Sequence, residues 1–152
     1  MHLNYLHGLD SKLTDWLELA KSKNTELFDL IERLVMIETP TSDKAANDRI
    51  SIVAADLLKA IGGEVTIHHQ DEFGDHITAD WSANSNNAAT KHALVVGHLD
   101  TVWPLGTLER MGYTEKDGRL YGPGVLDMKA GIATTIIDFV LFGNKVSGLI
   151  DQ

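Results

Sequence analysis

Apolar residues recur at helical spacing through the first forty positions: Leu13, Trp16, Leu17 and Ala20, then Leu27, Leu30, Ile31, Leu34 and Val35. Two amphipathic helices satisfy that pattern. Asn24 or Thr25 is placed to cap the second, Glu26 and Asp29 put carboxylates in its early turns, and Pro40 ends it. A third helix is predicted from about Asp43 to Ala60, with Ile50, Val53, Ala54, Leu57 and Leu58 on one face and Gly62-Gly63 as its stop. The period then shifts towards two. Val65 and Ile67 alternate with polar neighbours and His76 to Trp81 repeats the alternation, which predicts strands. Ser82 to Lys91, rich in Asn, Ser and Ala, reads as a solvated connection tolerant of insertions.

His92 to Gly97, in the order His-Ala-Leu-Val-Val-Gly, is apolar without alternation, as in a central strand covered on both faces. A hairpin is predicted beyond it, with Tyr113 to Glu115 and Arg119 to Tyr121 around Lys116-Asp117-Gly118, followed by the turn Gly122-Pro-Gly124. Ala130 to Phe142 reads as a closing helix with Ile132, Ile136, Phe139 and Val140 on one face. No internal repeat occurs, which excludes solenoids. Helices ahead of mixed strands, with a buried strand feeding polar residues at its end, predict an α/β fold. The expected architecture is a three-layer sandwich around a mixed, partly parallel central sheet.

Composition narrows what such a fold can do. The chain has 152 residues, 43% of them apolar, which is one ordinary domain able to bury about 70% of the surface its unfolded chain exposes. Thirteen Lys plus Arg against 22 Asp plus Glu leave a net charge of −9, so nucleic acid is not an expected partner. The absence of cysteine excludes disulfides and thiol catalysis and leaves any metal to His and carboxylates. No apolar run approaches the roughly 18 residues of a membrane span, and the opening Met-His-Leu-Asn-Tyr lacks the parts of a signal peptide. The sequence therefore reads as cytoplasmic, without membrane association.

Residues two apart in an extended segment point the same way, so His98 and Asp100 emerge together past the end of the buried strand. There a neutral imidazole can bind a divalent cation and a carboxylate can orient it. A strand-end His can equally be a hydrogen-bonded structural residue. Asp127, behind Tyr-Gly-Pro-Gly-Val-Leu, can bridge cations or cap the helix that follows. Lys129 fits no Walker loop, since it lies between Met128 and Ala130, and Asp127 stands where a dinucleotide loop needs its third Gly. No Gly-x-Ser-x-Gly elbow occurs. His68 and His69 would point to opposite faces of a strand, which argues against one shared metal. Trp16, Trp81 and Trp103 read as core or pocket-wall aromatics.

Val-Val-Gly-His-Leu-Asp-Thr-Val-Trp-Pro from Val95 to Pro104 is followed by Gly-Arg-Leu-Tyr-Gly-Pro-Gly-Val-Leu-Asp-Met-Lys-Ala-Gly from Gly118 to Gly131. Together these resemble the co-catalytic zinc metallopeptidases of the aminoacylase, acetylornithine deacetylase and carboxypeptidase G family, most of all its glutamate carboxypeptidase branch. The resemblance implies that His98 ligates one zinc, that Asp100 is the catalytic carboxylate orienting it, and that Asp127 bridges two zinc ions. It implies hydrolysis of a peptide or amide bond in a small peptide or N-acyl amino acid, and a homodimer for the full-length protein. It further implies a cis peptide at Asp127-Met128 in the full-length enzyme and leaves the isomer in this chain open.

The same resemblance places the glutamate base, further carboxylate ligands and a second-metal His well downstream of the bridging Asp. Here the last Glu is Glu115, the last His is His98, and only Asp138 and Asp151 follow Asp127 as carboxylates. The expectation is an N-terminal part of the catalytic domain spanning residues 1–152, without lid or C-terminal catalytic segment and inactive by itself. Two alternatives stand beside it: an N-acyl amino acid deacylase in place of a carboxypeptidase, and a non-catalytic α/β remnant that binds a cation or a partner through an unpaired sheet edge.

Overall fold

The computed structural model describes residues 15–81 and 93–142. Leu13, the connection Ser82 to Lys91, His92 and the tail from Gly143 lie outside the described residues. Residues 15–21 are helical, and after a short turn helix α1 runs Asn24–Val35. Its N-cap position is Lys23 with no side-chain cap, so neither Asn24 nor Thr25 takes that role. The helix ends at Val35, ahead of Pro40, which makes an isolated parallel bridge with Thr101. Leu30, Ile31, Leu34 and Val35 form its buried stripe.

Helix α2, Lys44–Ala60, starts where the Asp43 carboxylate accepts from the Ala46 amide at 2.9 Å. It ends before Gly62, whose φ of +87° is a conformation a side chain would oppose. Strands β1, Glu64–His68, and β2, His76–Asp80, pair antiparallel from Glu64 opposite Asp80 to His68 opposite His76 and pack on α2. Their link to α2 is polar. Asp75 accepts from the Lys44 ammonium at 3.0 Å and from the Gln70 amide at 3.0 Å, and pairs with His69 Nδ1 at 2.6 Å. These contacts and burial act on the Asp75 carboxyl with a net lowering, to about 2, the Gln70 amide being the largest cause.

A short helix that the periodicity did not predict, α3 at Thr107–Met111, precedes the second hairpin. Strands β3, Thr114–Lys116, and β4, Arg119–Tyr121, pair antiparallel one residue later in β3 than the pattern predicts. Asp117 and Gly118 both have positive φ, +54° and +69°, the geometry of a two-residue hairpin turn. Helix α4, Ala130–Phe142, buries Ala133, Ile136 and Ile137, while Val140 of the predicted apolar face is exposed. Its Phe139 ring stacks on Trp81 with centroids 4.2 Å apart. Trp16 and Trp103 lie outside the core, at 38% and 41% exposed.

The core joins the α1 stripe to Ile50 of α2, Val125, and the buried face of α4. The central sheet is where structure and pattern part. Among the described residues, 93–100 belong to no helix or strand, and the two sheets are separate antiparallel hairpins. Leu94 is 88% and Val96 76% exposed. An apolar run becomes a buried strand only with strands on its edges and layers on both faces, and among the described residues this one has α4 against Gly97 but no strand beside it. Only just past it does Thr101 make its isolated bridge with Pro40. The architecture is therefore α/β in the general sense, and the three-layer sandwich with a partly parallel central sheet is not what the described residues build.

Candidate functional site

Four short pieces of chain meet at the end of segment 93–100. Gly97 lies against α4 so closely that a Cβ there would sit 2.5 Å from Ile132 Cδ1, and this contact seats the segment that carries His98. The strap 39–41 then holds the next three residues. The Thr101 amide donates to the Thr39 carbonyl at 2.7 Å, the Thr41 amide to the Thr101 carbonyl at 3.0 Å, and the Thr39 hydroxyl to the Leu99 carbonyl at 2.8 Å. From the other side, Gly124, with φ +77°, brings the Gly122–Gly124 turn against Thr101, where a Cβ would be 2.5 Å from Thr101 Cγ2. Asp127 follows three residues later. The peptide between Asp127 and Met128 is cis.

This framework brings together the three residues singled out by the sequence. His98 Nε2 lies 2.9 Å from Asp127 Oδ1 across 29 positions of chain. His98 Nδ1 lies 3.1 Å from the Asp100 carbonyl and 3.3 Å from Asp100 Oδ1. Burial opposes the charged ring, but the Asp127 hydrogen bond and the contacts and charge of Asp100 outweigh it, raising the His98 pKa above its ordinary value. Both ring nitrogens thus face acceptor oxygens. His68 and His69 are elsewhere, facing Thr78 at 2.9 Å and Asp75 at 2.6 Å, and share no site.

Sequence reasoning missed the supports. Lys129 is 1% exposed, and its ammonium donates to the Ile37 carbonyl at 2.6 Å. Burial pushes its pKa down to about 8, with the Glu38 charge pulling the other way. The Glu38 carboxylate accepts from the Leu108 and Gly106 amides, each at 2.8 Å, bonds that hold its pKa below the ordinary carboxylate value and fix the start of α3. The readable signal was Thr-Pro-Thr at 39–41, a proline flanked by β-branched hydroxyls, which favours extended backbone and not merely a helix stop. A surface hollow of about 460 Å³ beside Met36, Arg49 and Leu105 does not include His98 or Asp127.

An imidazole nitrogen and a carboxylate oxygen within one cation's reach, with a second carboxylate behind the imidazole, is a donor set suited to zinc. It amounts to two ligands. Among the described residues no group of three or more His, Cys, Asp or Glu is placed to hold a metal ion, whereas zinc takes three or four protein ligands. Among them, too, no helix is long and apolar enough to cross a membrane.

Residues 94–139 match the model of a protein family described as Peptidase family M20/M25/M40. The chain is 27% identical over 121 residues to carboxypeptidase G2 of Pseudomonas sp. (strain RS-16), covering 78% of this chain and 28% of that protein. It is 35% identical over 118 residues to succinyl-diaminopimelate desuccinylase of Ralstonia nicotianae, covering 72% of this chain and 28% of that protein. To the desuccinylase of Acidovorax ebreus it is 46% identical over 55 residues, 33% of this chain and 14% of that protein. The chain thus spans less than a third of the length of these curated relatives.

Proposed function

We infer, from the match of residues 94–139 to the model of the peptidase family M20/M25/M40 and the likeness to carboxypeptidase G2 and the desuccinylases, that His98 and Asp127 are ligands of a zinc centre that hydrolyses a peptide or amide bond. The observation that carries this reading is the 2.9 Å approach of His98 Nε2 to Asp127 Oδ1 with Asp100 behind the ring. When bound, a zinc pair supplies a water of lowered pKa and polarises the scissile carbonyl. The chain's own residues prepare that centre. The Asp100 oxygens beside Nδ1 favour the proton there and so leave the Nε2 lone pair to a cation. Asp127, whose side chain is 82% exposed, has a free oxygen to share with a second cation.

The remaining ligands and the general base come from outside the described residues, and residues 1–152 act as the N-terminal part of the catalytic domain. The substrate is a small peptide or an N-acyl amino acid. The carboxypeptidase G2 relative favours release of a C-terminal residue. The desuccinylase relatives favour deacylation, and their identity over comparable lengths is higher, 35% over 118 residues against 27% over 121. Both products come from the same bond cleavage at the same centre.

The reading is tested on the purified chain by zinc calorimetry and by assaying zinc-dependent glutamate release from an acyl-glutamate and succinate release from a succinyl-amino acid. Weak zinc binding that disappears in His98→Ala and in Asp127→Asn is expected, with hydrolysis at background. Zinc binding that survives both substitutions refutes the ligand assignment. Hydrolysis abolished by Asp127→Asn would show that the chain alone is sufficient and overturn its placement as part of a larger catalytic domain.

A further inference from the structure

We propose that Thr41 is a positioning residue for this centre, acting on His98 through Asp100; the inference rests on the zinc-centre reading only for what the positioned ring does. The Thr41 hydroxyl donates to Asp100 Oδ2 at 2.5 Å, while the other oxygen of that carboxylate, Oδ1, faces His98 Nδ1 at 3.3 Å. His98 Nε2 in turn faces Asp127 at 2.9 Å. Thr41, Asp100, His98 and Asp127 therefore form one line of contacts from the strap to the exposed carboxylate.

The hydroxyl has two acceptors in reach, Asp100 Oδ2 and the Thr101 carbonyl at 3.2 Å, but only one proton. The Thr101 carbonyl already accepts from the Thr41 amide at 3.0 Å. The shorter bond to a charged acceptor takes the proton, because charge-assisted hydrogen bonds are the stronger kind. The donor is itself fixed. Thr41 is β-branched, its amide is bonded to Thr101, and Thr39 two residues earlier is clamped to the same stretch through the Thr101 amide and the Leu99 carbonyl.

The Asp100 side chain is about one-third exposed, so packing alone does not hold it. An aspartate that exposed has more than one staggered χ1 well open to it, besides a broad last torsion. With one oxygen tethered to Thr41, the other is left at a set place beside Nδ1, and the ring plane follows. Without the tether Asp100 turns to water and His98 keeps only the backbone carbonyl of Asp100 on that side, at 3.1 Å.

The test uses isotope-labelled chain and compares Thr41→Val, which keeps the shape and removes the donor, with Thr41→Ser, which keeps the donor. Three-bond NMR couplings report the χ1 rotamers of Asp100 and His98, Zn²⁺ titration reports affinity, and urea unfolding reports stability. Thr41→Val is expected to average both rotamers and to weaken Zn²⁺ binding about tenfold, the size of effect seen when a ligand's supporting partner is removed. Thr41→Ser is expected to restore both. Unchanged couplings in Thr41→Val overturn the proposal, as does a Thr41→Ser chain whose rotamers match those of Thr41→Val. Fixed rotamers lost in Thr41→Val and regained in Thr41→Ser, in a chain that binds no Zn²⁺, support the positioning role and refute the zinc-centre reading instead.

Discussion

Replacing Lys129 by Met tests whether a charge is buried behind the candidate site. The ammonium is 1% exposed and bonded to the Ile37 carbonyl at 2.6 Å. Burial brings its pKa from 10.5 down to about 8, a displacement equivalent to at most about 3 kcal/mol between the folded and unfolded chain. The sign follows from proton counting. Between about pH 8 and 10.5 the unfolded chain holds a proton that the folded chain has released, so stability rises with pH across that window and the full cost is present at pH 7. Lys129→Met removes this cost but leaves the Ile37 carbonyl without its donor, worth about 1–3 kcal/mol in the other direction. At pH 7 the two effects nearly cancel. The assay is urea unfolding at 25 °C, followed by fluorescence of Trp81 in its stack on Phe139, for both proteins from pH 7 to 10.5. Tyr113 and Lys44, whose pKa values are both raised, drop out of the difference because both proteins carry them. The wild type should gain on the variant by up to about 3 kcal/mol as pH rises. Parallel stability curves would refute the reasoning.

Gly124→Ala is expected to destabilise the chain by more than the about 1–2 kcal/mol of a left-handed side chain, since its Cβ would also meet Thr101 Cγ2 at 2.5 Å; an unchanged urea midpoint would count against the packing described. Asp75→Asn should lower the melting temperature at pH 7. Its lowered pKa makes the wild-type contribution present above about pH 4 and lost as pH falls towards 2, so the gap in melting temperature between the two proteins should close over that range, and a gap independent of pH would contradict it. His98→Ala should leave the urea midpoint within about 0.5 kcal/mol of wild type, the usual range for a surface change, while abolishing Zn²⁺ binding in calorimetry.

Local elements were legible because each rests on residues near one another in sequence. Asp43 caps α2, Gly62 ends it, Asp117-Gly118 turns the second hairpin, and Val65 and Ile67 face α2, all as pattern and turn chemistry dictate. The convergence of His98, Asp100 and Asp127 was legible through paired motifs. The central strand was not, because an apolar run such as Ala93 to Gly97 specifies that it prefers burial but not what buries it. The supports at Thr41, Glu38 and Lys129 were invisible for a different reason. Their partners lie 59 to 92 residues away, at Asp100, Leu108 and Ile37, and carry no periodic signature.

The apolar run from Ala93 to Gly97, with Leu94 and Val96 turned to water, governs how the molecule behaves in a crowded solution. A chaperone that samples exposed apolar chain meets Leu94 and Val96 without any unfolding. Two copies brought together along this run would bury its exposed apolar side chains against each other. What keeps them apart is the shared net charge of −9, a repulsion that reaches about 30 Å in 0.01 M salt and only about 3 Å in 1 M salt. The colloidal stability of the chain is thus set by ionic strength, and light scattering should grow with added sodium chloride at constant pH.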